Sequence, residues 1–236
     1  MRAFSAVRPL LLLPALLLGL GLRPLAAQDS AHQAMHEHGA HADPNHAVQG
    51  GGALPAGWSV RSDEDAGTAN VKVVAMGKGI HVTLGPAIIL YRDHAAGTGP
   101  FHTLATFTQT KNTTHAEGYG LFYGGQALDG KGEKYTYFLI RQDGMYLVKR
   151  RDGEKTTEIT KGWVASPAVH KTDAKGTATN LLEIDHKGDP SKVVFLVNSE
   201  PVYTLDEKAG DNDNGVVGIR VNHNLDLHID GFDVHR

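Results

Sequence analysis

The chain has 236 residues, with 23 basic and 26 acidic side chains, 14 histidines, 28 glycines and no cysteine. The missing cysteine excludes disulfides, zinc-thiolate sites, thiol chemistry and acylation at a lipobox. The weakly acidic balance argues against a nucleic-acid partner, because phosphates need clustered Lys and Arg; Lys149-Arg150-Arg151 is followed at once by Asp152, as at a hairpin end.

Arg2 and Arg8 precede an apolar run from Leu10 to Leu22, and Leu25-Ala26-Ala27 offers a small residue before Gln28. This is the layout of a cleavable signal peptide over residues 1–27. The run is shorter than the ~20 residues of a membrane span and contains Pro14. Its removal leaves 20 basic against 26 acidic residues, a net charge of −6. The expected location is therefore exported, periplasmic or extracellular, with no span after processing. Residues 28–55 hold Ala, Gly, His, Asp and Gln with few large apolar residues, which predicts a disordered histidine-rich linker. The domain proper is expected over residues 56–236.

Short apolar runs then alternate with turn residues. Gly79 to Leu84 places Ile80, Val82 and Leu84 on one face. Ala87 to Tyr91, His102 to Gln109 and Gly118 to Gly124 follow. Tyr135 to Gln142 passes through Asp143-Gly144 into Met145 to Lys149, a hairpin signal. Asp152-Gly153 repeats it before Lys155 to Ile159. The later runs are Asn180 to His186, Val193 to Val197, Val202 to Leu205, Val216 to Val221 and Leu225 to Val234. About a dozen strands with turns every ~8–12 residues predict an all-β, antiparallel two-sheet sandwich or barrel.

Several motifs in order sharpen this. They are Gly120-Leu121-Phe122-Tyr123-Gly124-Gly125, Tyr135 through Gly144, and Trp163 with Ser166-Pro167-Ala168-Val169. Asn180-Leu181-Leu182-Glu183-Ile184, Val194 through Asn198, Gly215 through Val221 and Asp226 through Phe232 follow. From Trp58 onward this series resembles the concanavalin A-like (laminin-G-like) jelly-roll superfamily, and within it the bacterial domain of unknown function 1080, or 3-keto-disaccharide hydrolase-like, group. The resemblance implies a jelly-roll sandwich and a saccharide-facing role. The chain lacks the Asn-Ser-Gly-Ile and Glu-Val-Gln segments of hydrolase-like members, and Ser199 stands where a glycine usually follows Asn198.

Period-2 alternation sets the candidate sites. If Phe138 and Ile140 face the core, Tyr137 and Arg141 face outward together. If Val217, Ile219 and Val221 face the core, Arg220 and Asn222 point outward. With Tyr123 these residues are read as the lining of one glycan groove. Glu183 and Asp185 fall on one strand face and form the only carboxylate pair suited to glycoside hydrolysis. Asp211 and Asp213, in Asp-Asn-Asp-Asn-Gly, are the calcium candidates. His36, His38 and His41 can chelate copper, nickel or zinc adventitiously. No cofactor is required. The reading is a non-catalytic module that binds glycan or a cell-surface ligand. The alternatives are a hydrolase of 3-keto-disaccharides and a structural envelope interaction module.

Overall fold

The computed structural model describes residues 44–63, 67–207 and 214–236. These form two antiparallel sheets. The eight-stranded sheet runs, in spatial order, β1 (Ser59–Ser62), β4 (Ile88–Tyr91), β14 (Val216–Val221), β6 (Gly118–Gln126), β7 (Lys134–Arg141), β8 (Met145–Asp152) and β10 (Val164–Ala165), with β9 (Lys155–Glu158) also paired to β8. The seven-stranded sheet runs β13 (Glu200–Asp206), β12 (Lys192–Val197), β11 (Ala178–Asp185), β5 (His102–Gln109), β15 (Asp226–His235), β3 (Gly79–Leu84) and β2 (Val71–Met76). The last two strands do not extend an edge. β14 enters between β4 and β6, and β15 between β3 and β5. The C-terminus thus closes both sheets at their middles, the interleaving of a concanavalin A-like jelly roll.

Alternation accounts for the core between the sheets. Ala105 and Phe107 of β5, Leu182 and Ile184 of β11, Val193, Phe195 and Val197 of β12, and Leu227 and Ile229 of β15 are all buried. They meet Tyr119, Leu121 and Tyr123 of β6, Phe138 and Ile140 of β7, and Val217, Ile219 and Val221 of β14. Tilted aromatic pairs join the layers, with Phe138 and Phe195 at 5.2 Å and Phe107 and Tyr119 at 5.6 Å between ring centres. Each such ring removed from water contributes roughly 2–3 kcal/mol, and together they hold a fold that has no cysteine to cross-link it.

The turns follow their residues. Arg141 and Met145 are paired, so Gln142-Asp143-Gly144 forms a three-residue loop with Gly144 in the left-handed region at φ 87. Residues 44–52, within the expected linker, are hydrogen bonded to the sandwich. The Gly50 amide donates to Ala69 O (3.0 Å), the Gly51 amide to Val71 O (3.2 Å), and the Val73 amide returns to Gly51 O (3.0 Å). This segment shields the β2 edge. A side chain at Gly50 would place its Cβ 2.1 Å from Ala69 O, so the approach requires glycine. Farther back, Asn224 accepts from the His46 amide (2.7 Å) and donates to Pro44 O (3.2 Å).

Candidate functional site

The outer face of the eight-stranded sheet is not an ordinary solvated surface. Ile89, Phe122, Tyr135, Tyr137 and Leu139 point outward and are nonetheless buried, with Tyr91 and Leu128 beside them. Charged side chains lie among these rings. Arg220 of β14 donates from Nη1 to Asp63 Oδ1 (2.6 Å) and from Nη2 to Asp63 Oδ2 (2.7 Å). Its guanidinium also reaches the Tyr135 hydroxyl (3.2 Å) and stands 5.9 Å from the Tyr137 ring centre. Arg151 lies 3.4 Å from Asp63 and 2.6 Å from Glu133 Oε1, the latter a charge contact without hydrogen-bond alignment. Arg61 pairs with Glu133 from the other side.

The network divides its two carboxylates. Burial would raise the Asp63 pKa, but the paired Arg220 guanidinium, helped by Arg151 and Arg61, holds it below the ordinary 3.8. At Glu133 burial prevails over Arg151 and Arg61, and the carboxyl is raised above 4.5. Burial likewise pushes the Tyr135 hydroxyl up to about 12. The mesh is only partly hydrogen bonded: Glu133 Oε1, Arg151 Nε and Arg220 Nε are buried without a hydrogen-bond partner among the described residues.

At the end of this face the side chains become accessible. Arg141, the last residue of β7, lies with its guanidinium carbon 4.5 Å from the Trp163 ring centre. It also donates to Asp143 Oδ1 (2.8 Å) and contacts the Met145 sulfur (2.8 Å). Beside it is a recess of about 370 Å³ lined by Asp143, Gly144, Met145, Ala165, Ser166, Pro167 and Lys171. The volume lies within the ~300–1,000 Å³ range of small-ligand sites. An asparagine relay supports the loop that forms its wall. Asn198 donates to Ala168 O (2.8 Å) and to Asn180 Oδ1 (2.9 Å), and Asn180 accepts from the His170 amide (2.8 Å).

The sequence-derived groove is thus regrouped. Tyr137, Arg141 and Arg220 do share the outer face. Asn222 lies just beyond β14, its amide donating to Gly118 O (2.8 Å). Tyr123 does not belong with them. The register sets Phe122 opposite Tyr137, so Tyr123, one residue on, points the other way. It lies wholly within the intersheet core and donates to Glu207 Oε2 (2.5 Å). Tyr137 is itself a floor residue, 1% exposed.

Glu183 and Asp185 do lie on one face of β11, but on the other sheet. Glu183 Oε2 is 3.1 Å from His102 Nε2. Asp185 Oδ1 accepts from the amides of Lys187 (2.8 Å) and Gly188 (3.2 Å), which closes the turn after the strand. Asp211, Asp213, His36, His38 and His41 lie outside the described residues. Sequence reasoning missed Asp63, Asp143 and Lys171 as members of the site. Trp163 was visible as a motif residue, but its partner Arg141 comes from a different hairpin.

No family model and no curated protein matches the chain. Many solved structures share its fold, among them the following three. One is the carbohydrate-binding module CBM66 from Bacillus subtilis, 10% identical, with TM-score 0.55 over 79% of this chain and 99% of that one. Another is a point mutant of the Emp46p carbohydrate recognition domain, 11% identical, with TM-score 0.54 over 76% and 88%. The third is the VIP36 exoplasmic/lumenal domain in its Ca2+-bound form, 9% identical, with TM-score 0.51 over 81% and 88%. Among the described residues no helix is long and apolar enough to cross a membrane.

Proposed function

We propose that this chain is an exported, non-catalytic carbohydrate-binding module that takes its glycan at the end of the eight-stranded sheet, against Trp163 and the adjoining recess. The observation that carries this reading is Arg141 packed on Trp163 beside a recess with Asp143 and Lys171 in its lining. A sugar ring presents an apolar face to an aromatic platform and hydroxyls to flanking charged groups. The Arg141 guanidinium already covers one face of Trp163, so the sugar would pack on the stacked Trp163–Arg141 pair, with Asp143 and Lys171 supplying an acceptor and a donor. The ion pairs of Asp63, Glu133, Arg151 and Arg220 lie on the same face as Tyr137 and Arg141. Two of the structures that share the fold are a carbohydrate-binding module and a carbohydrate recognition domain.

Export rests on the amino-terminal pattern of residues 1–27, and a place in the domain of unknown function 1080 group rests on the motif series. Calcium, present in the VIP36 structure, would be held here by Asp211 and Asp213. The hydrolase reading draws less support, since the Asp185 carboxylate is occupied by turn amides and Glu183 lies on the opposite sheet from Trp163.

The test is a glycan array probed with the full processed chain, followed by Trp163→Ala. Retention of a defined glycan class, weakened about tenfold or more by Trp163→Ala, is expected, the loss of one stacking contact being worth ~1.4 kcal/mol. Absence of any glycan above background, or retention indifferent to Trp163→Ala, sinks the proposal.

A further inference from the structure

The outer face of the seven-stranded sheet carries a second cluster of functional side chains, unrelated to the glycan reading. Its central strands lie in the order β11, β5, β15. The register places His102 directly opposite Asp185 on one side and His235 on the other. In the next outward row, Leu104 stands opposite Glu183 and Asp233. Thr103, between these rows, and Ala105, beyond them, are buried inward.

A bulge creates this arrangement. The β15–β5 register shifts between Asp230 and Asp233. Before the shift His228 faces outward opposite Thr108. Continued alternation would bring Phe232 and Val234 to the same face. After the shift those two pack against the intersheet core instead, and Asp233 and His235 take the outward positions. Bulges that re-aim side chains in this way cluster at functional sites.

We propose that His102 and His235, with Glu183 and Asp233, bind one divalent transition-metal ion on this face. The two imidazoles are stacked across the strands, 5.9 Å between ring centres and 16° from parallel. His102 Nε2 is 3.1 Å from Glu183 Oε2, and His235 Nε2 is 3.6 Å from Asp233 Oδ2. Both Nε2 atoms therefore turn toward the row of Leu104, whose two flanking residues are the carboxylates. Two imidazoles and two carboxylates form a nitrogen–oxygen donor set suited to zinc, nickel or copper. Among the described residues no three such side chains yet converge on one point, so the ion itself gathers them. Two nitrogens each ~2.1 Å from one zinc ion stand at most about 4.2 Å apart. Opposed Cβ atoms ~5 Å apart permit this by side-chain rotation alone. The side chains of His235 and Asp233 are 52% and 63% exposed; Asp233 Oδ1 accepts from the Val234 amide (2.8 Å), which leaves Oδ2, the oxygen facing His235, for an ion.

The neighbouring histidine pair shows what such a cluster looks like when it is structural. His81 and His228 are also directly opposed, 6.3 Å between ring centres. Their carboxylate, Asp226, is already engaged by Thr83, by Thr110 and by the Lys111 ammonium at 3.0 Å. That ammonium occupies the place of an ion. At the proposed site the nearby Arg236 is drawn away, donating to carbonyls of Gly99, Ala95 and Gly215.

The test uses the full chain carrying His36→Gln, His38→Gln and His41→Gln, so that the amino-terminal histidines do not compete. Zinc titration by calorimetry is expected to give one ion per chain. Cobalt substitution is expected to give the visible absorption of a low-coordinate site. His235→Gln weakens zinc at least about tenfold, and Glu183→Gln by a similar factor. His81→Gln leaves it within about twofold. Should His102→Gln disturb the strand, His235→Gln in the exposed last strand still decides the matter. The proposal is overturned if the tail-substituted chain binds no zinc, or if replacing His102 and His235 together leaves the affinity unchanged.

Discussion

Arg220 and Asp63, 157 residues apart in sequence, meet through two parallel hydrogen bonds of 2.6 and 2.7 Å on the outer face of the eight-stranded sheet. Arg220 is 5% exposed, so loss of its partner strands a buried cation. Asp63→Asn is expected to cost about 3 kcal/mol, the lower end for a broken buried pair because Asp63 keeps some access to water. Arg220→Met combined with Asp63→Leu should recover much of that loss. Urea unfolding midpoints check both values.

The same pair sets an acid limit. Asp63 titrates below its ordinary 3.8 in the fold, so its contribution is present above that value and is lost as pH falls through the lowered one. Asp226 is lowered too: burial opposes this, but hydrogen bonds from Thr110, Lys111 and Thr83 prevail. Glu133, raised by burial, acts in the opposite sense and withdraws stability as pH rises through 4.5 and above. Wild-type stability is therefore expected to fall below pH 3.8, and Asp63→Asn to fall less steeply over that interval. A denaturant series at stepped pH measures the slope.

Tyr123 and Arg141 separate core from contact. Tyr123→Phe removes the hydroxyl that donates to buried Glu207. The expected loss is about 2 kcal/mol of stability, as for a hydrogen bond to a charged group, with glycan retention unchanged. Arg141→Ala, at a strand end, should weaken glycan retention while moving stability by no more than about 0.5 kcal/mol. Paired thermal unfolding and glycan binding distinguish the two outcomes, and Tyr123→Phe abolishing retention at full stability would reverse the assignment.

The strands legible in the sequence were those with clean alternation or a marked turn. Gly79–Leu84 and His102–Gln109 match β3 and β5 to the residue, and Asp143-Gly144 turns between β7 and β8. β10 has two residues and no pattern to read. β6 is buried on both faces from Gly118 to Gly125, so its apolar run carries no alternation, and nothing local assigns Tyr123 to a side. Only the pairing with β7 does that. Asp63 gives no local sign of its partner, because the partner is brought to it by the final crossing of β14. The outward placing of Asp233 and His235 depends on a bulge, which breaks the periodicity that sequence reading relies on.

Asn224 ties the amino-terminal segment down from a left-handed position, φ 59. Asn224→Gly keeps that backbone accessible but removes the side-chain bonds to the His46 amide and Pro44 O. Hydrogen exchange at the His46 amide should quicken about tenfold, the equivalent of ~1.4 kcal/mol, while amides of β5 and β11 remain as protected as before. Unchanged exchange at His46 would show that the other ties, Asn45 on His223 and the backbone bonds of Gly50 and Gly51, hold the segment without Asn224.

The β12–β13 hairpin turns on Asn198 and Ser199, with φ of 52 and 67. Val197 pairs with Glu200, so these two residues form the whole loop and both sit where glycine or asparagine is preferred. They should respond oppositely to the same substitution. Among the described residues the Ser199 side chain has no hydrogen-bond partner, so Ser199→Gly relieves a left-handed penalty of roughly 1 kcal/mol. Against this stands the extra chain entropy of glycine, leaving an expected gain of about 0.5 kcal/mol. Asn198 accepts from the Leu181 amide (2.9 Å) and donates to Ala168 O and Asn180 Oδ1. Asn198→Gly keeps the turn and loses all three bonds, for an expected cost of about 2–3 kcal/mol. It also releases the loop at Ala168, next to the recess wall at Ser166 and Pro167, so glycan retention should weaken with it. A gain from Asn198→Gly, or a loss from Ser199→Gly, in urea unfolding would show that backbone strain, not the side-chain relay, governs this turn.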